Sequence, residues 1–365
     1  MKILEFIPTL GPGGGQSLVV DLCNELAETE DITLVTLRDD TLKYYGFMAK
    51  DLSVKVKHKS LKLPENSNWK TMLGIYKAIT EEKPDIIHFH MCISFALFAI
   101  CCLGWKYPIV QTIHNDIKSS YSKTSYKLII RLTGWLHLCR YVTICDTNFQ
   151  DFKKAYPGIF NRMIYNGRKP LVQTEKYPMV KKEIEGYKMN EQTKVYLHVA
   201  RCNPQKNQRL LVEVFNALTT GGANAILLII GFRNEAAEEK YLKKIASHTI
   251  LFLGTKSNVI DYLLNADCFI LSSVFEGMPI TIIEALNCGV PVVSTPVSGV
   301  VDVVKSGENG YLSENHTLEA FKEAVELSYK NISVIRNNTK SAIKDSPLTI
   351  KRCASEYLKL FKEIK

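Results

Sequence analysis

The sequence lacks several features that would assign it to a specialised class of protein. Its 10 cysteines are scattered in apolar runs without C-x-x-C spacing, a pattern typical of reduced cysteines in a cytosolic protein. The longest uncharged apolar stretch, residues 91–105, is shorter than the roughly 20 residues that a membrane-spanning helix needs. No targeting segment precedes the first strand-like run, Lys2–Ile7. We therefore expect a cytoplasmic protein that is soluble or bound peripherally to the inner face of the cell membrane.

Motifs for nucleic-acid binding are also missing. The net charge is +9 and the pI is about 8.9, and this basic excess suits anionic ligands or an anionic membrane surface. The lysines and arginines are dispersed, however, and no zinc-finger or aromatic RNA-binding motif accompanies them. We expect no nucleic-acid partner.

The sequence also lacks the two common nucleotide-binding motifs, although it contains a glycine-rich loop. Gly13, Gly14 and Gly15 lie in the segment GPGGGQ, between the first strand-like run and the first helix. The dinucleotide fingerprint requires glycine where Gln16 stands, and the phosphate loop requires a lysine there before Ser17. Backbone amides at this place can still receive a phosphate or a sugar. We favour that function over a simple flexible turn.

Strand-like and helix-like segments alternate along the chain, which is the pattern of parallel sheets covered by helices. The strands predicted in the first half are Lys2–Ile7, Ile32–Leu37, Val54–His58, Asp85–His90, Ile109–His114, Tyr141–Cys145 and Arg162–Tyr165. The helices predicted there are Ser17–Thr29, Lys70–Glu82, Ser94–Leu103 and Tyr121–Leu138. The strands predicted in the second half are Val195–Ala200, Ala225–Ile230, Ile250–Leu253, Cys268–Leu271 and Val292–Ser294.

The length of 365 residues favours two domains. We predict an N-terminal Rossmann-like domain over residues 1–172 and a second doubly wound domain over residues 194–345. Residues 173–193 are rich in Lys, Glu, Pro and Tyr without an apolar period, which predicts a linker. Residues 346–365 predict an amphipathic helix whose apolar face packs back toward the first domain.

The most informative stretch is LSSVFEGMPITIIEALNCGVP, which places Glu276 and Glu284 eight positions apart. A turn is expected at Glu276-Gly277, and a helix is expected to begin at Pro279. Apolar residues occupy nearly every side of this helix, so we expect it to be buried. A charge in such a helix is costly, so Glu284 is either paired by protein groups or held for a ligand that bears hydroxyls.

Two cations follow the first predicted strand of the second domain, in the segment HVARCNPQKNQ. Arg201 and Lys206 would lie at the carboxyl end of a parallel sheet, where ligands bind. Arginine can hold phosphate oxygens with two parallel donors, and lysine adds a point charge. Together they suggest a diphosphate site, although an isolated surface charge is more commonly just solvated.

Three histidines end two of the apolar strands. His88 and His90 share one strand face, and His114 ends the next strand within TIHND. A metal site is conceivable, but strand-end histidines that hydrogen-bond locally are more common. We therefore expect no metal site and take His114 as the functional candidate.

A further segment combines cations with aromatic residues on one predicted helix. Its members are Tyr121, Lys123, Tyr126, Lys127, Arg131 and Trp135. Such a surface can rest on anionic lipid headgroups. An ordinary solvated helix with its aromatic residues toward the core explains the pattern equally well.

These motifs together resemble the retaining glycosyltransferases of the family 4 type, and the resemblance covers nearly the whole chain. It rests on the glycine-rich loop, TIH ending at His114, YNG at residues 165–167, Arg201 with Lys206, and EGMPITIIE with its E-x7-E spacing. The family implies the GT-B fold, in which two Rossmann-like domains flank a deep cleft. Pro12, Gln16 and Asp302 depart from the family's usual pattern, which leaves the acceptor in doubt more than the donor.

The resemblance also implies the role of each residue. Glu284 would bind the ribose hydroxyls of a nucleotide, and Glu276 would lie by the hydroxyls of the donor sugar. The sugar and phosphate would be surrounded by Gly277, Met278 and Pro279. Arg201 and Lys206 would bind the diphosphate, His114 would contact the sugar near the reacting carbon, and Gly13 to Gly15 would let the first domain approach the donor.

The sequence thus predicts a retaining, metal-independent glycosyltransferase without a cofactor. It would move a sugar from a nucleotide-sugar donor, UDP-linked by preference, to a glycan or lipid-linked glycan in surface polysaccharide biosynthesis. A nucleotide-sugar epimerase of the same fold needs no acceptor and is the alternative. A non-catalytic carbohydrate-binding module is a third reading, which the charged constellation disfavours.

Overall fold

The computed structural model describes residues 1–65, 67–91, 99–115, 124–233, 237–342 and 346–365. Within these ranges the chain forms two compact units. Unit 1 comprises Met1–Lys169 and Pro347–Lys365, and unit 2 comprises Pro170–Ser346. Each unit contains one sheet whose strands run parallel. The predicted fold class, α/β with two doubly wound parallel sheets, is confirmed.

The sheet of unit 1 has seven strands. They are β1 Lys2–Ile7, β2 Asp31–Thr36, β3 Lys57–Ser60, β4 Ile86–His90, β5 Ile109–Ile113, β6 Arg140–Thr143 and β7 Asn161–Met163. Their order is β3-β2-β1-β4-β5-β6-β7. Strands β2 and β3 follow β1 on one side of the sheet, and β5 to β7 follow β4 on the other side, so the strand order reverses between β1 and β4. In parallel sheets ligands bind beyond the carboxyl ends of strands at such a reversal.

Helices cover this sheet on both faces. They are α1 Gly14–Leu26, α2 Asn68–Glu82, α3 Thr124–Trp135 and α4 Asp146–Ala155, and residues 99–103 are also helical. Helix α1 begins three residues before the predicted Ser17, because two loop glycines form its first turn. The predicted helices at 94–103 and 121–138 fall partly outside the described residues. Of the basic aromatic helix, Tyr121 and Lys123 lie outside them.

The third predicted strand was misplaced. Val54 is fully exposed, and the strand that pairs with β2 is β3, three residues later. This strand lies at the edge of the sheet and reads KHKS, so its pairing depends on backbone hydrogen bonds rather than on apolar side chains. An apolar pattern therefore gives no signal for it.

The sheet of unit 2 has six strands. They are β8 Lys194–Val199, β9 Ala225–Ile230, β10 Ile250–Phe252, β11 Cys268–Leu271, β12 Val292–Ser294 and β13 Gly310–Leu312, in the order β10-β9-β8-β11-β12-β13. Its helices are α5 Tyr177–Tyr187, α6 Gln208–Thr220, α7 Ala237–Ile245, α8 Val259–Asn265, α9 Ile280–Asn287, α10 Val300–Val303 and α11 Leu318–Ala342. Strand β13 has only three residues and was not predicted. The strand order reverses between β8 and β11.

The predicted linker, residues 173–193, contains a helix. Helix α5 buries Val180 and Ile184, which are four positions apart and therefore share one face. This face packs against α8, so the segment belongs to unit 2. Two apolar residues among many charged ones do not produce a detectable helical periodicity. The composition of this segment therefore suggested a linker.

The segment that follows unit 2 returns to unit 1. Helix α12, Ile350–Ile364, packs against α1 and buries Tyr357, Leu360 and Phe361. The segment before α12 pairs with Arg168 through backbone hydrogen bonds. A side chain at Gly167 would overlap the backbone at Thr349, so the YNG motif serves this close approach.

Candidate active site

The E-x7-E stretch follows the carboxyl end of β11, at the strand reversal of unit 2. Helix α9 begins at Ile280 with Pro279 as its N-cap, one residue later than predicted, and ends before Gly289, whose φ is +69°. The five apolar residues of this helix are buried, as its composition predicts. Thr281, Glu284 and Asn287 are only half-buried, and their spacing of three places them on one face. Glu284 thus lies on a partly accessible polar stripe.

Glu276 is held by a cluster of polar groups. The side chain is 7% exposed, and its Oε1 accepts hydrogen bonds from Lys206 Nζ at 2.5 Å and from Ser273 Oγ at 2.6 Å. Its Oε2 receives a longer contact of 3.4 Å from Gln205 Nε2. Because a carboxylate has about four acceptor positions, Oε2 retains capacity for a further donor such as a hydroxyl.

Lys206 reaches Glu276 because the chain after β8 turns in a short 3-10 helix, Pro204–Lys206. Asn203 caps this turn by accepting a hydrogen bond from the Lys206 amide at 3.0 Å. Ser272 Oγ donates to the Lys206 carbonyl at 2.9 Å, which ties the turn to the end of β11. The ammonium group has three donor positions and the Glu276 contact uses one. The structure therefore brings Lys206 and Glu276 together.

Arg201 lies at the same edge of the sheet, two residues beyond β8. Its backbone carbonyl accepts a hydrogen bond from Gln208 Nε2 at 2.9 Å, while the residue itself is exposed. Within the described ranges its guanidinium forms no ion pair with the protein. A guanidinium in this state can bind an incoming anion.

Backbone amides contribute donors next to Glu276. In the part of the chain that the structure describes, neither the Gly277 nor the Met278 amide donates a hydrogen bond. Both residues and Pro279 are buried. Gly299 packs directly behind this turn, where a Cβ would overlap the Gly277 carbonyl and lie 2.8 Å from Met278 Cα. Gly299 also has a φ of +71°, so glycine is required there on two grounds.

We expect Gly299→Ala to displace the 277–278 turn and weaken ligand binding at least tenfold. The matched control is Gly307→Ala, because Gly307 has a similar φ of +83° but no atom within 4 Å of the place where an alanine Cβ would stand. Both variants strain the backbone by about 1 kcal/mol or more, and only Gly299→Ala also moves the turn. Calorimetric binding of UDP compares them, and equal affinity in both variants would contradict a role for this turn.

The glycine-rich loop of unit 1 lies at the carboxyl end of β1. Gly13 is the N-cap of α1, and Gly14 is exposed at the start of the helix. The Gln16 side chain folds back over Gly13, and a Cβ at Gly15 would lie 2.9 Å from Met91 Sδ. Of the three glycines, Gly14 is therefore the exposed one, and the groups that could receive an anion at this helix N-terminus are limited to those around it.

His114 lies at the carboxyl end of β5, beside His90 at the end of β4. His90 Nδ1 is 2.9 Å from His114 Nε2, and His90 Nε2 is 2.9 Å from Glu5 Oε2. His88 Nδ1 is also 2.9 Å from that oxygen. Glu5 was not a candidate in the sequence, although an acid inside the buried strand KILEFI is a usable signal. Glu5, His88 and His90 could also ligate a metal ion.

The protonation of this cluster follows from its burial and its charges. Burial opposes ionisation of Glu5, but His88 and His90 outweigh it and lower the pKa of Glu5 to about 2. Burial and the neighbouring His88 lower the pKa of His90 to about 4. Loss of solvent around His114, with His90 beside it, also lowers the pKa of that ring. At neutral pH, Glu5 is therefore charged while His90 and His114 are neutral.

Comparison with known proteins identifies the family of both units. The family model described as "Glycosyltransferase Family 4" matches residues 12–168, and the model "Glycosyl transferases group 1" matches residues 179–344. The two parallel sheets and the two family matches define a glycosyltransferase with two Rossmann-like units, the GT-B fold. The chain belongs to the family 4 glycosyltransferases.

Relatives of known name are similar over most of the chain. The UDP-Gal:alpha-D-GlcNAc-diphosphoundecaprenol alpha-1,3-galactosyltransferase of Escherichia coli is 27% identical over 309 residues, which are 78% of this chain and 76% of that protein. A Campylobacter jejuni alpha-1,4-N-acetyl-D-galactosaminyltransferase, whose named acceptor is a diNAcBac-PP-undecaprenol glycan, is 24% identical over 100% of this chain and 99% of its own. Both are transferases, so the epimerase alternative is not favoured.

A solved structure shows the same fold over the full length. Anabaena HepE in complex with UDP and glucose has a TM-score of 0.80 and 15% sequence identity, and the match covers 100% of both chains. At this identity the similarity shows the fold alone. The predictions of a family 4 enzyme and of the GT-B fold are confirmed, while the roles of individual residues stay predictions.

Proposed function

We propose that this enzyme transfers a sugar from a UDP-sugar to a glycan or a lipid-linked glycan, with retention of the anomeric configuration. The observation that carries the proposal is the polar cluster of unit 2. Lys206 and Glu276 are paired, Arg201 is exposed at the same edge of the sheet, and the Gly277 and Met278 amides have no protein acceptor among the described residues. This set combines cations for a diphosphate with an acceptor for sugar hydroxyls.

Each group has a distinct task in the proposed reaction. Arg201 and Lys206 neutralise the diphosphate as it leaves, and the amides of the 277–278 turn add fixed dipoles. Glu276 Oε2 accepts a hydrogen bond from a hydroxyl of the donor sugar. Glu284, on the polar stripe of α9, accepts hydrogen bonds from the ribose hydroxyls. Because two side-chain cations are available for the phosphates, the reaction needs no metal ion. The departing phosphate assists attack of the acceptor on the same face of the sugar.

Donor binding is tested first, by thermal shift with UDP, GDP and CDP, since a ligand of the folded state raises its apparent stability. UDP should stabilise the protein most. Glu284→Ala should weaken UDP binding about 10- to 100-fold, the value of a hydrogen bond to a charged group. Glu314→Ala, at an exposed position of unit 2, is the control and should bind UDP normally. Equal affinity of the two variants would remove Glu284 from the donor site.

The reaction itself separates the alternatives. With UDP-galactose, UDP-glucose and their N-acetyl derivatives, a transferase releases UDP at a rate that depends on an added undecaprenyl-diphosphate-linked sugar. NMR of the product should show an α-anomer from an α-linked donor, and EDTA should leave the rate unchanged. A changed sugar configuration without acceptor would identify an epimerase, and a β-product would contradict retention.

We further propose that α3 binds the surface of an anionic membrane, at the cytoplasmic face. Leu128, Leu132 and Trp135 are 68%, 52% and 74% exposed, and their spacing of four and three places them on one face. Lys127 and Arg131 are exposed one position earlier in each turn. Apolar and cationic side chains side by side suit the interface of anionic lipids. No helix within the described ranges is long and apolar enough to cross the bilayer.

Vesicle binding tests this surface. Trp135→Ser should lower the partition of the protein onto phosphatidylglycerol-containing vesicles about 10- to 100-fold, because a large apolar side chain that is buried in the interface contributes about 1.5–3 kcal/mol. Trp69→Ser is the matched control, since Trp69 is 67% exposed on α2. Sedimentation with vesicles measures both. If the two variants bind vesicles equally, or if the native chain does not bind, α3 is not a membrane contact.

A further inference from the structure

Three side chains of unit 1 form a continuous hydrogen-bonded line that ends at His114. Glu5 lies on β1, His90 on the neighbouring β4, and His114 directly after β5. Glu5 Oε2 is 2.9 Å from His90 Nε2, and His90 Nδ1 is 2.9 Å from His114 Nε2. Glu5 and His90 are completely buried, whereas His114 is partly exposed. The line therefore connects a buried charge to the accessible edge of the sheet.

The direction of each hydrogen bond follows from the chemistry of the groups. An ionised carboxylate only accepts, so His90 Nε2 must carry the proton that it donates to Glu5. A neutral imidazole has one N–H, so His90 Nδ1 carries a lone pair and accepts from His114 Nε2. His114 is then protonated at Nε2, and its Nδ1 carries a lone pair.

We propose that Glu5 and His90 are positioning residues that fix His114 in its Nε2-protonated tautomer and so present Nδ1 as a hydrogen-bond acceptor for a hydroxyl of the donor sugar. The proposal rests on the proposed function, because it assumes that His114 contacts the sugar. The tautomer of His114 follows from the hydrogen bonds within unit 1 and does not depend on the identity of the substrate. A hydroxyl of the sugar can donate to Nδ1, whereas a phosphate oxygen cannot, so this arrangement selects the sugar end of the donor.

A second branch of the cluster supplies a control. His88 Nε2 is 2.7 Å from Thr112 Oγ1, which is 2.9 Å from the Tyr357 hydroxyl. Tyr357→Phe removes one buried hydroxyl from the same core but leaves the bonds of Glu5, His90 and His114 in place. Glu5→Gln instead replaces the acceptor-only carboxylate by an amide. An amide can also donate, so the line can reverse and move the His114 proton to Nδ1.

The tautomer is measured by long-range ¹H–¹⁵N NMR of histidine-labelled protein, with the His114 signals assigned from a His114→Gln sample. The native chain should show His114 protonated at Nε2 between pH 6 and 8. Glu5→Gln should populate the Nδ1-protonated form, and Tyr357→Phe should keep the native tautomer. A native His114 protonated at Nδ1 overturns the proposal. The native spectrum alone gives this answer, even if Glu5→Gln does not fold.

Kinetics separate positioning from folding. Glu5→Gln should lower kcat about tenfold, the value of one hydrogen bond of about 1.4 kcal/mol, with UDP affinity unchanged because the nucleotide groups lie in unit 2. Native kcat in Glu5→Gln despite an altered tautomer would overturn the positioning role. If the native chain transfers no sugar from any UDP-sugar, the proposed function fails while the tautomer is still measured.

Metal analysis is the last check, because a stoichiometric ion on Glu5, His88 and His90 would displace the His90 proton and overturn the proposal.

Discussion

Glu276→Gln is expected to lower kcat about 10- to 100-fold while UDP binds with nearly native affinity. The change keeps the size of the side chain but removes its charge, so a donor-sugar hydroxyl loses a charge-assisted hydrogen bond of about 1.5–3 kcal/mol. UDP lacks the sugar and does not report this loss. Steady-state kinetics and calorimetry with UDP measure the two quantities on the same preparation.

Glu284→Ala is the matched comparison for this prediction. The two glutamates are eight residues apart, but Glu276 is buried against Lys206 whereas Glu284 lies on the half-buried stripe of α9. We expect the first variant to lose turnover and the second to lose UDP affinity. The reverse result would exchange the roles of the two carboxylates. Equal loss of UDP affinity in both would indicate that Glu276 maintains the shape of the site rather than contacting the sugar.

Asp21→Ala is expected to lower the stability of unit 1 by about 3–5 kcal/mol. Asp21 is buried on α1 and is hydrogen-bonded to buried Arg168, and its second oxygen is 3.5 Å from Lys169 Nζ. Removing one partner of a buried ion pair leaves the other charge poorly compensated, and that cost is of this size. Amide hydrogen exchange of the α1 and β1 backbone measures the stability of unit 1, since the three tryptophans are already 67–74% exposed in the folded chain and report its unfolding poorly.

The double variant Asp21→Leu with Arg168→Met tests the cause. It removes both charges and keeps apolar volume, so it should recover at least half of the lost stability, as replaced buried ion pairs commonly do. If the double variant is as unstable as Asp21→Ala, the loss comes from packing around α1 and the electrostatic explanation is wrong.

The features predicted correctly from the sequence depend on local patterns. Strands β8, β9, β11 and β12 are apolar runs bounded by polar turns, and a buried strand requires such a run wherever it lies in the sheet. The turn at Glu276 and the helix after it are encoded by glycine and proline within a few residues. The apolar residues of α9 are buried as predicted, whereas the half-buried stripe formed by its three polar residues was not predicted, because it is hard to see in an eight-residue helix.

The missed features depend on contacts between distant parts of the chain. Glu5 and His90 are 85 positions apart, and Asp21 and Arg168 are 147 positions apart. The sequence around either residue of such a pair does not indicate which distant residue will contact it. The pairing of Lys206 with Glu276, 70 positions apart, is a similar case, because the sequence placed each at a strand end but not in contact. Strands β3 and β13 are short edge strands, which apolar patterns describe poorly.

The return of α12 to unit 1 has a consequence for how the chain folds during its synthesis. Unit 2 is continuous in sequence, so all of its strands and helices are synthesised before α12, whereas unit 1 waits for α12. Until then, the surfaces that α12 covers with Tyr357, Leu360 and Phe361 stay open to solvent. A chain that ends early can complete unit 2 but not unit 1.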